Sequence, residues 1–255
     1  MTTTATATRA EHCVVACADA WRGDGEIFAS PMGTIPSLGA RLARATFEPD
    51  LLLSDGEATF VDGTWGIDDD PPTSVEGWVP FRSVFDILWS GRRHVMMSPV
   101  QIDAYGNANI SCIGDFARPK VQLLGVRGAP GNTVNHATSY WVPKHDTRTF
   151  VERVDMVAGV GYDRVQQAGA FAREHIDLRT VVSPLGVFDF ATDDKRMRLA
   201  AVHPGVEVDE VVERTGFELA IDDEVPTSRA PTEEELELLR TVLDPNGRRD
   251  GELPT

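Results

Sequence analysis

The sequence predicts an α/β protein with an open, mostly parallel sheet sandwiched between helices on both faces. Apolar segments with helical spacing alternate with short apolar runs, an order that is typical of parallel sheets. The run Leu51–Leu53 is apolar without alternation, as expected of a strand buried on both faces. No repeat or linker interrupts the 255 residues, and their 42% hydrophobic content can fill one core. We therefore predict one domain over residues 1–255, with a flexible charged tail from about residue 246.

The N-terminal part of the chain contains two predicted helices and two predicted strands. Residues 10–22 repeat apolar side chains at helical spacing and predict the first helix. A Gly-Asp-Gly turn then leads into a short strand at residues 26–30. A Gly/Pro loop precedes the second helix, for which Ser37 is the expected N-cap. Residues 50–54 follow as the buried parallel strand.

The middle of the chain is predicted to pass from a long loop back to regular structure. Residues 60–80 are rich in Asp, Gly and Pro, which favours a loop. Residues 83–91 predict a helix that Gly91 ends, and a strand follows over residues 94–103. The dipeptide Gly106–Asn107 indicates a turn between two strands, and Asp103 is expected to order that turn.

The C-terminal part is predicted to contain further strands and two helices. One helix ends at Gly216, and the last helix begins with Thr232 and Glu235 in a capping-box pattern. The predicted strands are residues 149–159, 180–190 and 196–205.

The charge balance limits the classes of partner. Forty acidic residues against 24 Lys and Arg give a net charge of −16, which argues against nucleic-acid binding. Backbone N–H groups and single arginines can still bind a small anion in such a protein. No apolar run reaches the roughly 18 residues of a membrane span, and the N-terminus does not have the pattern of a secretory signal. We therefore predict a cytoplasmic protein without a membrane partner.

Cysteine, histidine and serine side chains do not form a recognisable catalytic or metal motif. Cys13 and Cys17 lie four residues apart on the first predicted helix, where small buried residues are the favoured interpretation over a metal site. His203 is expected to hydrogen-bond near the core, whereas His145 is expected at the surface. Ser183 does not lie in a G-x-S-x-G motif, which argues against a hydrolase triad there.

A glycine-rich segment, residues 125–140, is the most informative loop. Its glycines allow backbone N–H groups to approach an oxyanion or phosphate, and Arg127 can supply a charged contact. The segment matches neither the P-loop nor the dinucleotide-binding fingerprint. An anion-binding element and an ordinary surface loop both remain open on this pattern alone.

Five segments, taken in order, resemble the β subunit of family I coenzyme A transferases, in particular its glutaconate branch. They are residues 101–114, 119–132, 148–161, 181–190 and 202–217. The resemblance implies the coenzyme A transferase fold, assembly with a homologous α-type subunit into an α2β2 heterotetramer, and an acyl-CoA substrate. No separate cofactor or metal is implied, because CoA is part of the substrate. Arg127 and Gly128 become candidate substrate-binding residues.

The same resemblance draws attention to the turn Ser54-Asp55-Gly56-Glu57. In the family, a glutamate in this turn attacks the acyl-CoA carbonyl as a nucleophile. Alignment from residue 49 places Gly56 at that position, with Asp55 one residue early and Glu57 one residue late. The four turn residues are therefore expected to line the substrate pocket without a well-placed nucleophile.

One branch of the family lacks this glutamate, and the sequence is most similar to its β-type subunits. That similarity implies hydrolytic C–C cleavage that opens the last steroid ring of a cyclic oxo-carboxyl-CoA. The principal base is then expected on the α-type subunit, while Gly131 and Asn132 stabilise an oxyanion or position the substrate. Two alternatives remain: a CoA-transferase β subunit of glutaconate or 3-oxoacid type that uses Asp55 or Glu57, and a non-catalytic partner of the α subunit.

Overall fold

The computed structural model describes residues 6–56, 58–125, 128–135 and 137–253. Its strands are β1 (Phe28–Pro31), β2 (Thr59–Val61), β3 (Val75–Trp78), β4 (Arg93–Met97), β5 (Gln101–Ile102), β6 (Ala108–Asn109), β7 (Cys112–Ile113), β8 (Val121–Gln122), β9 (Ala137–Trp141), β10 (Asp177–Val182), β11 (Gly186–Asp189) and β12 (Arg198–Val202). Its helices are α1 (Arg9–Asp19), α2 (Thr34–Thr46), α3 (Phe81–Ser90), α4 (Ala129–Asn135), α5 (Tyr162–Val165), α6 (Ala170–His175), α7 (Val208–Glu213) and α8 (Glu233–Leu238), followed by a π-helix (Leu239–Leu243) and a 3₁₀-helix (Arg248–Glu252).

The central sheet has six strands in the order β1-β4-β9-β10-β11-β12. Strands β1, β4, β9 and β10 run parallel to one another, while β11 and β12 continue the sheet in antiparallel pairing. Leu52 adds a single parallel bridge to Phe28 beyond β1. The predicted mostly parallel sheet is therefore confirmed. The predicted strand at residues 50–54 is reduced to this bridge and an antiparallel bridge between Ser54 and Phe60.

Alternate side chains of the central strands enter two separate cores. Met96 and Trp141 pack with α1 and α2 on one face of the sheet. Their neighbours Val95, Met97 and Tyr140 pack on the opposite face, where α3 and α4 contact the sheet strands. The prediction of helices on both faces is thus confirmed. Within the described ranges, no helix combines the length and apolar character needed to cross a bilayer.

Local turn and capping signals in the sequence agree with the structure. Gly91 ends α3 in the left-handed conformation, with a φ of 73°. Gly106 has a φ of 80° in the turn between β5 and β6, where Asp103 accepts hydrogen bonds from the backbone N–H groups of Tyr105 and Asn107. The capping box that begins α8 at Thr232 is also present. These signals are local, so the sequence alone carries them.

Several predicted element boundaries are wrong. Gly33, not Ser37, is the N-cap of α2. The predicted loop at residues 60–80 contains most of the β2–β3 hairpin, whose strands are too short to show a periodic pattern. The predicted strand at residues 149–159 contributes only isolated bridges, because its buried apolar residues pack into the second core without forming a ladder. Residues 129–135 form α4 rather than a loop.

Part of the C-terminal segment, residues 248–252, takes part in a buried charge network. The carboxylate of Glu11 is fully buried and lies 2.7 Å from Arg240 Nε and 3.0 Å from Arg249 Nη2. Arg249 also pairs with the Asp244 carboxylate at 2.7 Å. Glu252 accepts hydrogen bonds from the first turn of α2. Glu11 and Glu252 each have partners more than 200 residues away in the sequence, so local patterns in the charged tail cannot reveal them.

The structure contradicts the position predicted for one histidine and confirms the position predicted for another. His145 is buried, stacks on Phe150 at 3.7 Å and hydrogen-bonds Ser183 and Thr215, so its predicted surface position is wrong. The apolar stacking partner follows five residues later, beyond the polar segment that suggested exposure. His203 hydrogen-bonds the Ser183 carbonyl oxygen at 3.0 Å, as predicted. Cys13 and Cys17 are likewise buried and free, as expected of small core residues.

Both histidines are held neutral in the folded protein. Burial lowers the pKa of His145 to about 3 and that of His203 to about 4. An unfolded histidine has a pKa of about 6.5, so the folded state binds fewer protons below that pH. The stability that these groups confer is therefore complete above about pH 6.5 and is lost as the pH falls towards their folded pKa values.

Between about pH 7.5 and about pH 5, the unfolding free energy of His145→Gln should fall less than that of the native protein. The reason is that the variant lacks a histidine whose protonation favours the unfolded state. At the higher pH this variant should be less stable than the native protein, since the stacking on Phe150 is lost. Urea unfolding followed by tryptophan fluorescence at both pH values measures the difference. His175→Gln changes an exposed histidine and serves as the control. The same pH dependence in the His145 variant and the native protein would contradict this explanation.

Candidate active site

Two cavities lie beside the end of β1, near the carboxyl edge of the parallel sheet where ligands commonly bind. The first, here called the turn cavity, has a volume of about 170 Å³. It is lined by Phe28, Ala29, Ser30, Pro31, Ser37, Arg41, Leu53, Ser54, Asp55, Gly56 and Trp65. The second, the apolar cavity, measures about 540 Å³. It is lined by Met32, Phe81, Val84, Phe85, Leu88, Arg93, Met97, Ile110, Leu124, Gly125, Gly128, Ala129 and Asn132.

The turn after Leu53 presents three of the predicted substrate-binding residues to the turn cavity. Asp55 Oδ1 accepts hydrogen bonds from the backbone N–H groups of Ala58 and Thr59, both at 3.0 Å. Gly56 has a φ of 88°, and a Cβ atom there would meet no other atom within 4 Å. The Asp55 carboxylate therefore closes its own turn, while position 56 offers space but no reactive group. Glu57, the fourth predicted residue, lies outside the described residues.

Arg41 supplies the positive charge of the turn cavity. Its guanidinium lies over the Trp65 ring at 4.5 Å from the ring centroid. Burial lowers the pKa of Arg41 to about 10. The turn cavity is thus a small site that Arg41 lines together with Ser54 and Asp55 of the turn.

The glycine-rich segment places only some of its predicted residues at the apolar cavity. Gly128 and Asn132 line it, whereas Gly131 packs against α3, where an added Cβ would lie 3.1 Å from Leu88 Cδ2. The backbone N–H groups of Gly131 and Asn132 both donate to the Gly128 carbonyl oxygen. Asn132 therefore offers its side-chain amide, rather than its backbone N–H, to the cavity. Arg127 lies outside the described residues.

Arg93 is a polar residue of the apolar cavity that the sequence patterns did not single out. It is 7% exposed, and its guanidinium donates to Ser30 Oγ at 2.8 Å and to Asn132 Oδ1 at 3.1 Å. Its Nε has no hydrogen-bond partner among the described residues. Burial lowers the pKa of Arg93 to about 10. The Arg93 side chain also connects the two cavities, because Ser30 lines the turn cavity.

One signal in the sequence can identify Arg93 in retrospect. The strand HVMM is preceded by two arginines, and period-two alternation places Arg93 on the same face as Val95 and Met97. Without knowledge of which residue begins the strand, the same arginine is equally compatible with a surface loop. The structure resolves this by making Arg93 the first residue of β4, in register with Phe28 of β1.

A second constellation has the geometry of a Ser-His-Asp triad but no access to either cavity. His94 Nε2 lies 2.9 Å from Ser139 Oγ, and His94 Nδ1 lies 2.6 Å from Asp24 Oδ2. Burial raises the pKa of Asp24, but hydrogen bonds with His94 and Arg179 lower it overall. His94 and Ser139 are fully buried and line neither cavity, so this chain of hydrogen bonds ties strands together. Among the described residues, no group of three or more His, Cys, Asp or Glu is arranged to hold a metal ion.

Comparisons with known proteins identify the family of the chain. The model of the coenzyme A transferase family matches residues 88–214. The chain is 53% identical to the cholesterol ring-cleaving hydrolase IpdB subunit of Rhodococcus jostii RHA1, over 96% of each chain. It is 30% identical to one of the subunits of the 3-oxoadipate CoA-transferase of Pseudomonas knackmussii, over 82% of this chain and 83% of that one.

A solved structure extends the similarity to three dimensions. The crystal structure of Rhodococcus jostii RHA1 IpdAB contains a chain that is 51% identical to this one, with a TM-score of 0.93. The match covers 98% of this chain and 99% of that chain. The chain belongs to the coenzyme A transferase family, and it groups there with the IpdB subunits.

Proposed function

We propose that the chain is the β-type subunit of a heteromeric hydrolase that opens the last ring of a steroid-derived cyclic oxo-carboxyl-CoA. The observation that carries the proposal is the turn at residues 54–56, which holds glycine where the family's transferases hold a nucleophilic glutamate. The similarity to a relative named as a cholesterol ring-cleaving hydrolase subunit supports the choice of reaction. The role of the chain is then to bind and orient the substrate without a covalent intermediate.

The proposed reaction is a hydrolytic retro-Claisen cleavage. A base removes a proton from water, and the water oxygen bonds to the carbonyl carbon of the ring ketone. The adjacent ring C–C bond then breaks, and its electron pair passes to the carbon next to the thioester, which takes up a proton. The former ketone becomes a carboxylate, and the CoA thioester is retained. The base is expected on the partner subunit.

Asn132 is the residue of this chain best suited to stabilise the oxyanion that forms when water adds. Its side-chain amide lies at the apolar cavity, and its Nδ2 is paired with Met97 Sδ at 3.3 Å. A thioether sulfur is a weak acceptor, so this donor can be transferred to a substrate oxygen at small cost. Gly131 supports Asn132 indirectly, because its lack of a side chain allows the close contact between α4 and α3.

The alternative of CoA transfer is less well supported by the turn. A nucleophilic carboxylate must reach the acyl carbonyl, but Asp55 Oδ1 accepts two backbone N–H groups of its own turn. Its side chain is also one methylene shorter than the glutamate that the transferases use. A misplacement of about 1 Å can reduce the rate about a hundredfold. We therefore assign Asp55 to holding the turn and lining the cavity.

The assembly is proposed to be an α2β2 heterotetramer with a homologous α-type subunit, located in the cytoplasm and without a separate cofactor. Large apolar side chains on the β3–α3 side support a partner there, because contiguous exposed aromatics mark interaction surfaces. Trp78 is 77% exposed, Phe81 76% and Trp89 69%. The partner would also complete the site by supplying the base.

We expect no covalent intermediate on the turn. Incubation of the complex with its acyl-CoA substrate, followed by borohydride and peptide mass spectrometry, should leave the masses of Asp55 and Glu57 unchanged, because no thioester forms there for borohydride to reduce to an alcohol. The glutaconate CoA-transferase treated in the same way is the positive control, since the family mechanism forms a glutamyl-CoA thioester. A reduced side chain at either residue of this chain would instead support transfer chemistry.

Replacement of Asn132 by Ala should lower kcat about a hundredfold, because one oxyanion donor is removed from a desolvated site. Assembly with the partner should be unchanged in gel filtration, since the residue faces a cavity. Pro130→Ala, on the exposed side of the same helix, is the matched control. Equal turnover in the Asn132 and Pro130 variants would favour a purely structural role for this segment.

The isolated chain should have no ring-opening activity, because the base that activates water is assigned to the partner. Activity should appear when the separately purified α-type subunit is added, and it should saturate at equimolar subunits. Full turnover by the isolated chain would refute the heteromeric model.

A further inference from the structure

Arg93 is a buried cation without a counter-charge among the described residues. Its two hydrogen-bond acceptors, Ser30 Oγ and Asn132 Oδ1, are neutral. No acidic side chain of the described residues forms an ion pair with it, although the chain contains 40 acidic residues. Arg249, which is buried to the same extent, pairs with both Glu11 and Asp244. An unpaired buried charge is costly, so a ligand that brings a negative charge to Arg93 would be stabilised there.

The surroundings of Arg93 indicate which kind of ligand fits beside it. The apolar cavity has a volume of about 540 Å³. Such a volume is typical of small-molecule sites. Its lining is mainly aliphatic and aromatic, including Phe81, Val84 and Leu88 of α3. A planar guanidinium is suited to bind a carboxylate with two parallel hydrogen bonds. The cavity therefore fits an apolar body that carries a carboxylate.

We propose that Arg93, with Ser30 and Asn132 fixing its guanidinium, binds a carboxylate on the acyl group that enters the apolar cavity. This inference rests on the proposed function, because hydrolysis of a ring ketone converts it into a carboxylate within the same molecule. The bound carboxylate is therefore either one already present on the ring substrate or the one that ring opening creates. Both sources have the same chemistry, and kinetics distinguish them.

Binding of a simple probe tests the site without the ring-opening reaction. Calorimetry on the complex of this chain with its partner compares cyclohexanecarboxylate with the neutral cyclohexanecarboxamide. The native complex should prefer the carboxylate, and Arg93→Gln should reduce that preference about tenfold or more. Arg92→Gln removes the same charge from the exposed neighbouring residue and should leave the preference unchanged. A preference that survives in Arg93→Gln, or is absent from the native complex, would overturn the proposal.

A second variant keeps the test valid if Arg93→Gln fails to fold. Asn132→Asp places a carboxylate of the same shape beside the guanidinium, where Asn132 Oδ1 already lies 3.1 Å from Arg93 Nη1. Because the new carboxylate neutralises Arg93 internally, the complex should keep its thermal midpoint and lose the preference for the carboxylate probe. Retained preference in this variant would overturn the proposal.

Steady-state kinetics with the cyclic oxo-acyl-CoA separate the two sources. A raised KM with unchanged kcat in Arg93→Gln would identify a carboxylate carried by the substrate. A lowered kcat with weaker product inhibition would identify the carboxylate created by ring opening. Unchanged kinetics would overturn the inference. The native complex could lack ring-opening activity while Arg93→Gln still removes the preference for cyclohexanecarboxylate. That result would reject the proposed function and leave the carboxylate site standing.

Discussion

The parallel register between β1 and β4 is the constraint on which the site depends. Phe28 pairs with Arg93 and Pro31 with Met96, so Arg93 lies on the same sheet face as Ser30. From there its guanidinium reaches Ser30 on β1 and Asn132 on α4. A slip of one residue would turn Arg93 into the core beneath α1 and α2 and present His94 to the cavity instead. The two cavities and their connecting charge therefore follow from one strand pairing.

The same register also explains the buried hydrogen-bond chain on the opposite face. With Arg93 directed towards the apolar cavity, His94 must point the other way, where Asp24 and Ser139 satisfy both of its ring nitrogens. Trp21 of the segment after α1 packs beside the His94 ring at 5.7 Å. A wrong register would thus remove Arg93 from its hydrogen-bond acceptors Ser30 and Asn132 and break this chain at the same time. Such double penalties make a single native pairing favourable.

Local rules account for much of the fold, and long-range contacts account for the features that the sequence patterns did not predict. The left-handed turns at Gly91 and Gly106 and the capping box at Thr232 depend on neighbours within a few residues, so their signals can be read directly. The burial of His145 depends instead on Ser183 and Thr215, which lie 38 and 70 residues away. The buried contact of Arg249 in the C-terminal segment depends on Glu11, which lies 238 residues away. No periodic pattern records these distances.

The candidate site shows the same division. The turn at residues 54–56 is identifiable because it follows an apolar run and because a family resemblance assigns that position. Asn132 is identifiable through its glycine-rich segment, but the sequence does not reveal that its backbone N–H is occupied while its side chain faces a cavity. Arg93 escapes prediction because an arginine beside another arginine is usually solvated, and only its neighbours in space show otherwise.

The chemistry of the turn and the charge of Arg93 fit one functional change. A transferase stores the acyl group on a carboxylate of its own, so a reactive acid must stand free in the turn. In this chain the described acid of the turn, Asp55, accepts backbone hydrogen bonds, and the neighbouring position is glycine. A hydrolase that opens a ring has no stored acyl group, but it must accommodate a carboxylate on an apolar body. Glycine in one cavity, and in the next an arginine with no acidic partner among the described residues, both fit the proposed change from transfer to hydrolysis.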